Sequence, residues 1–96
     1  IHFPHPYGII INPNGKIGRN CTISQGVTIG SKGGGVPKIG NNVKIFPNSI
    51  LLGDIVVKDN SIIGAGSIVI KNIPKGEVWA GNPAKFIRKV NYKDSY

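Results

Sequence analysis

The sequence predicts an all-β fold, a parallel β-solenoid of about three and a half triangular coils with one protruding Gly-rich loop and a C-terminal tail. Three observations carry this. Aliphatic residues recur every six positions at Ile39, Ile45, Leu51, Val57, Ile63 and Val69 and, counting back from Ile29, at Ile23, Ile17 and Ile11. Three residues after each of these, Ile29 excepted, and after His5, stands Asn, Asp or Gly: Gly8, Asn14, Asn20, Gly26, Asn42, Asn48, Asp54, Asn60, Gly66 and Asn72. Those types make up only 27 of the 96 residues, so chance does not explain the pattern. The count slips by four once, between Ile29 and Ile39.

Asn, Asp and Gly tolerate the left-handed backbone region that bulkier side chains avoid, so each marks a corner. The aliphatic residue points inward and stacks on its equivalent in the next coil. A hexapeptide period is a β-helix signature. Three hexads close a triangular coil, so neighbours stand eighteen residues apart in sequence and about 4.8 Å apart in space. The position four after each aliphatic is small or β-branched (Cys21, Val27, Val43, Ser49, Ser61, Ser67), as a narrow interior requires. β-branched residues and recurrent Gly and Pro oppose a helix.

Along the chain, residues 1–10 lead into the coil. His5 falls in a slot that is aliphatic in the other hexads, and Gly8 and Ile9 keep the register around it. A His there costs packing and desolvation, which points to function; the pattern equally allows an irregular lead-in that starts the register at Ile11. His2 reads as an exposed lead-in residue. Residues 11–30 are regular. Ile23 lies one coil below His5 and Gln25 below Tyr7, so Gln25 is either a hydrogen-bonding neighbour of His5 or an ordinary solvated strand residue.

Ser31-Lys32-Gly33-Gly34-Gly35-Val36-Pro37-Lys38 then loops out. Three glycines cost backbone entropy, which argues for mobility or for close approach of a ligand or neighbour. No phosphate-binding loop is present, because no Gly-Lys-Ser/Thr follows. Residues 39–73 complete the solenoid, and Gly64, Ala65, Gly66 and Ser67 leave small residues on one wall. Residues 74–96 form a cap and tail: a turn at Pro74 and Gly76, a strand over 77–80, and a basic, apolar stretch 85–90 expected as a short helix or extended tail. Trp79 and Phe86 are expected to cap the open end.

The chain forms one thin domain with two exposed ends, and the repeat is running by the fifth residue. We therefore expect further coils or a cap upstream. Net charge is +8, from twelve Lys and Arg against four Asp and Glu, which fits nucleic acid, an anionic membrane surface or a phosphorylated small molecule. The cations are spread along the sequence and aromatics are few, which disfavours a nucleic-acid groove. The single Cys21 excludes an intrachain disulfide, fits a reducing compartment and reads as a buried packing thiol. No signal peptide and no membrane-length apolar run is visible, so the expected location is the cytoplasm, without membrane insertion.

Five motifs, in order, resemble the hexapeptide-repeat acyltransferases, most closely the serine acetyltransferase and polysaccharide O-acetyltransferase branch. They are His5-Pro-Tyr-Gly-Ile-Ile-Ile11, Ile23-Ser-Gln-Gly-Val-Thr-Ile-Gly30, Pro37-Lys-Ile-Gly40, Ile63-Gly-Ala-Gly-Ser-Ile-Val69 and Ala80-Gly-Asn-Pro-Ala-Lys85. The resemblance implies a left-handed parallel β-helix, against the usual crossover hand. It also implies a homotrimer with the site between subunits and transfer of an acetyl group from acetyl-CoA to a small-molecule hydroxyl. His5 would be the general base, with a backbone N–H near the loop steadying the oxyanion. Ala65, Gly66 and Ser67 would line the pantetheine path, and Ser31 and Lys32 would edge the thioester end. Lys71, Lys85 and Arg88 would approach the CoA phosphates, and Gln25, Gly34 and Gly35 would face the acceptor.

Two departures shape the expectation. Serine acetyltransferases carry Arg-His before Pro-Lys-Ile-Gly to hold the amino acid, whereas this chain has Gly35 and Val36, which favours a saccharide hydroxyl. The carboxylate that orients the catalytic His in that branch lies upstream, and Pro4 stands in place of the acidic neighbour. Serine acetylation and a non-catalytic trimerisation module are the competing readings. A zinc enzyme of the γ-carbonic-anhydrase kind needs three His per metal, and only His2 and His5 are present, so no metal is expected.

Overall fold

Each hexad folds as two or three residues of strand followed by a corner. The computed structural model describes residues 1–4 and 8–94. Ten short strands run through the solenoid: β1 (Ile10–Ile11), β2 (Lys16–Ile17), β3 (Thr22–Ile23), β4 (Thr28–Gly30), β5 (Lys38–Ile39), β6 (Lys44–Ile45), β7 (Ile50–Leu52), β8 (Val56–Val57), β9 (Ile62–Ile63) and β10 (Ile68–Val69). They stack in parallel as three walls. The first is β1-β4-β7-β10 and the second is β2-β5-β8. The third begins β3-β6-β9 and is extended by β11 (Glu77–Gly81) and β12 (Ala84–Lys89).

The register shows where the hexad count holds and where it breaks. Ile11 pairs with Ile29, Ile29 with Leu51, and Leu51 with Val69. The steps are therefore eighteen, twenty-two and eighteen residues, and the slip of four is absorbed in one corner. The final coil is shorter: Ile63 pairs with Trp79, a step of sixteen. At the other end His2 bridges to Thr22, where an unbroken count would put Pro4. These additions bring the solenoid to about four turns rather than three and a half.

Inside, the aliphatic columns close on themselves. Ile23, Ile29, Ile45, Leu51, Val57, Ile63 and Ile73 are fully buried; each contributes roughly 1.5–3 kcal/mol by leaving water. Ile11 and Ile17, on the first rung, are only partly buried. The small inward positions are filled as expected by Cys21, Val27, Val43, Ser49, Ser61 and Ser67, all wholly enclosed. Their hydroxyls are satisfied by backbone carbonyls: Ser49 Oγ donates toward Phe46 O and Gly64 O (3.0 and 2.9 Å), and Ser67 Oγ toward Gly64 O (2.6 Å). Cys21 Sγ sits 3.1 Å from Gly40 O, the packing thiol the sequence suggests.

Two of the three edges follow one rule. The edge between the second and third walls turns on Asn20, Asn42 and Asn60, with φ of 58–62°. The edge between the third and first walls turns on Gly8, Gly26, Asn48 and Gly66, with φ of 63–72°. On the remaining edge Asn14, Asp54 and Asn72 are not left-handed. There Gly53 takes φ +86°, and the Asn12 and Asn72 side chains accept backbone N–H groups of Asn14 and Val56 (2.9 and 2.8 Å). This is the edge from which residues 31–38 emerge.

Of the two alternatives for the C-terminal stretch the structure has the extended one: residues 84–89 form β12, antiparallel to β11, with Trp79 opposite Phe86 and Ala80 opposite Lys85. Phe86 is 50% exposed and does not cap the core, whereas Trp79 packs against it. A 3-10 turn at Tyr92–Asp94 follows. Among the described residues no helix is long and apolar enough to cross a membrane.

Candidate functional site

His5, the expected base, lies outside the described residues. Its neighbours show that the lead-in does not follow the hexad count. Eight residues separate His2 from Ile10, while their partners Thr22 and Thr28 are six apart. Gly8 does return to register, its backbone lying over Gly26.

The expected cofactor wall is built at the glycine-rich edge between the third and first walls. Ala65 and Gly66 are exposed, and nothing lies within 4 Å of where a Gly66 side chain would start. Beside them Gly64 is bare for an internal reason: a Cβ there would meet Ala80 Cβ at 2.8 Å. Ala80 pairs with Lys85, so this exposed lysine stands next to the wall. Ser67 does not line the wall, because it is fully buried and its Oγ accepts the Gly81 N–H (3.2 Å). Its inward slot outranks its place in the motif.

Arg88 is exposed but engaged. Its guanidinium makes a two-pronged pair with Asp94 (2.8 and 3.0 Å). That pair and the Asn91 N–H hold the Asp94 carboxyl down at about 2, below its ordinary value, and raise Arg88. Lys44 donates to the Asp94 carbonyl, and the Val90 N–H reaches Gly76 O (2.8 Å), so residues 90–94 strap the outside of the third wall. Arg88 can meet a phosphate only by sharing or leaving Asp94. Glu77 is lowered by the Trp79 indole N–H first and by Lys89 second.

The loop is an ordered hairpin. Lys32 and Gly35 exchange backbone hydrogen bonds (3.0 and 3.1 Å) around Gly33 and Gly34, whose φ of 60° and 85° fit a type I′ turn. Gly35 has a packing reason to be glycine: a Cβ there would fall 2.4 Å from Asp54 Cβ. Gly33 and Gly34 form an open tip with nothing within 4 Å. Ser31 and Lys32 are exposed at its base, and Lys71 is exposed just past β10.

These residues do not form one site within the chain. Ala65, Gly66 and Lys85 sit at one edge of the first wall, whereas Ser31, Lys32, Gly34 and Lys71 sit at the other. A strand and its flanks, roughly 15 Å, separate them. The outer face between them is apolar, with Ile10, Ile50, Leu52, Ile68 and Ile70 pointing out; Ile10 is 63% exposed and Ile70 45%. Gln25 is half-buried, and its carbonyl accepts the Asn48 N–H (3.0 Å). Sequence reasoning missed Phe46, a 41% exposed aromatic on the third wall, preceding the Asn48 corner. No signal singled it out: the residue after an inward aliphatic is Gly at 18, 30, 40 and 64 but varies at 12, 24, 46, 52, 58 and 70.

Comparison with known proteins fits this geometry. Residues 37–71 match the family described as bacterial transferase hexapeptide (six repeats). Over 84 residues the chain is 40% identical to WcaB of Escherichia coli (strain K12), assigned to colanic acid biosynthesis as an acetyltransferase, spanning 84% of this chain and 52% of WcaB. It is 36% identical over 94 residues to serine acetyltransferase 2 of Arabidopsis thaliana, spanning 94% of this chain and 29% of that protein. A solved serine acetyltransferase in complex with CoA superposes with a TM-score of 0.86 at 35% identity, over 90% of this chain and 36% of that one. Another, in complex with coenzyme A and from Brucella abortus strain S19, gives 0.89 at 33% identity, over 94% and 38%. The chain thus spans about half the length of the first relative and less of the others. The shared fold is the left-handed β-helix.

Proposed function

We propose that the chain, a hexapeptide-repeat protein whose residues 37–71 match the bacterial transferase hexapeptide family, transfers an acetyl group from acetyl-CoA to a saccharide hydroxyl. His5 acts as general base. It takes the hydroxyl proton as the acceptor oxygen attacks the thioester carbonyl, and the oxyanion then collapses and expels CoA as its thiolate, which is reprotonated. Acetyl-CoA fits the residues present: a bare wall at Ala65 and Gly66 for the pantetheine arm, with Lys85 beside it for a phosphate.

The observation that carries this reading is the separation of the two half-sites by an apolar face. It supports a homotrimer in which the loop of one copy, with Ser31, Lys32 and Lys71, lies against the Gly66 wall of the next. Burying Ile10, Ile50, Ile68 and Ile70 between copies supplies the driving force. Such a site works in the cytoplasm, where acetyl-CoA is available.

A saccharide is favoured over serine because Gly35 and Val36 provide no cation for an amino-acid carboxylate; Gly35 has no room for any side chain beside Asp54. Serine acetylation remains the second reading, since most of the named relatives act as serine acetyltransferases. A panel of serine, simple sugars and sugar nucleotides, followed by thiol release from acetyl-CoA, separates the two. Turnover with a sugar that collapses in His5→Ala supports the proposal, and turnover with serine alone replaces it. Absence of CoA binding leaves a β-helix scaffold.

A further inference from the structure

In sequence the cations are scattered; in three dimensions many of them converge. The coil step of twenty-two residues makes Lys16 and Lys38 direct partners on β2 and β5, both exposed on the outside of the second wall. Like charges on adjacent rungs, about 4.8 Å apart, disfavour folding, so the solenoid gains nothing from this pairing. Lys58 and Lys75 complete the face, exposed around a groove of about 380 Å³ whose floor includes Gly40 and Val56. Arg19 is exposed on the adjoining edge.

Two glycines of this face, Gly40 on the groove floor and Gly18 one rung away, are bare for a structural reason. A Cβ on Gly40 would lie 2.2 Å from Asp59 Oδ1, and one on Gly18 would lie 2.4 Å from Asn41 Oδ1. Those oxygens are committed to a ladder, with Asp59 accepting the Asn41 N–H and Asn41 the Arg19 N–H (both 2.8 Å). Asp59 is the one carboxylate lining the groove. None of Lys16, Lys38, Lys58 and Lys75 forms an ion pair among the described residues. The cations assigned to the cofactor, Lys32, Lys71, Lys85 and Arg88, are elsewhere.

We infer that the outer face of the second wall binds an anionic polysaccharide, running along the solenoid axis over these lysines, and that it holds the polymeric form of the acceptor. This rests on the saccharide reading above. A linear polymer suits an open groove flanked by cations on successive rungs. The face carries no aromatic side chain on which nucleobases could stack, which argues against single-stranded nucleic acid. In a trimer joined through its first walls, these faces point outward in three directions; a flat bilayer meets only one of them, whereas a flexible chain meets any.

The test is binding of the protein to polygalacturonate, with neutral dextran, a single-stranded oligonucleotide and phosphatidylglycerol vesicles as comparators. It is run at low and high salt on wild type and on the Lys16→Gln/Lys38→Gln/Lys58→Gln/Lys75→Gln variant. Expected are salt-sensitive binding of polygalacturonate, none of dextran, and a loss of about tenfold or more in the variant. Circular dichroism checks that the variant folds, and acetyl transfer to a monosaccharide should be unchanged in it. Equal binding by variant and wild type overturns the inference, as does tighter binding of the oligonucleotide or the vesicles. Polymer binding through these lysines without acetyl transfer to any acceptor would instead overturn the transferase reading and leave the surface standing.

Discussion

The two ends of the solenoid are finished differently. At the C-terminal end β12 folds back on β11, Ala84 is buried, and the pairs Arg88–Asp94 and Lys89–Glu77 (2.8 and 2.9 Å) fix the hairpin and its strap. Ile63 and Ile73 beneath it are fully enclosed. At the N-terminal end the described lead-in is held by the bridge from His2 to Thr22, and Ile11 and Ile17 of the first rung are only partly covered. Position along the axis, as well as place in the hexad, therefore decides how well an inward residue is buried. The proposed chemistry divides along the same line, with the base in the lead-in and the cofactor wall under the hairpin.

The largest contrast between the ends should be kinetic. His5→Ala is expected to lower kcat by about 10²–10⁴-fold, whereas Lys85→Ala raises KM for acetyl-CoA by about tenfold or less with kcat unchanged. Steady-state thiol release measures both, and equal effects on kcat would erase the division. In stability, Ile45→Ala in the closed middle should cost about 2–5 kcal/mol and Ile11→Ala on the first rung about 1 kcal/mol. Urea midpoints decide this, and similar costs would mean that Ile11 is covered in solution.

Glycines sharpen the contrast further. Gly64→Ala would push Ala80 and lift the hairpin, costing about 1–3 kcal/mol. Gly8→Ala meets only ordinary contacts, at 3.8 Å from Gly26, and carries the left-handed backbone penalty of about 1–2 kcal/mol. Thermal melts of the pair would show whether steric or conformational cost dominates.

The smallest effect concerns the strap. The Asp94 carboxyl is lowered in the folded chain from 3.8 to about 2. Its contribution is therefore complete above about pH 4 and lost as pH falls towards 2. The protection of the Val90 N–H, its exchange rate taken against the intrinsic rate at each pH, should fall across that window, and Asp94→Asn should lower it already at neutral pH. Protection that does not change with pH would mean that the strap is held by the backbone alone.

Much of this fold was legible because a solenoid writes its geometry locally. Seven of the ten corner residues read from the hexads adopt the left-handed conformation, and the inward columns are the predicted ones. The three that do not, Asn14, Asp54 and Asn72, share the loop-bearing edge, where a four-residue insertion changes the turn. Periodicity also failed where a non-local partner intervenes. β12 reads as a short helix or an extended tail because its strand character comes from pairing with β11. Ser67 shows the reverse: periodicity puts it inward, where it is buried, and it is the motif resemblance that misplaces it on the wall. The convergence of Lys16 and Lys38 was hidden because the coil step joining them is twenty-two residues rather than eighteen.

The reversal of direction at β12 has a consequence for growth. Parallel rungs can template another rung indefinitely, which is how solenoids and fibrils lengthen. β12 runs antiparallel to the rungs, with Arg88 and Lys89 paired to Asp94 and Glu77, so it offers an incoming copy an edge of the opposite polarity. The third wall is thereby closed on its β12 side to the addition of a further parallel rung.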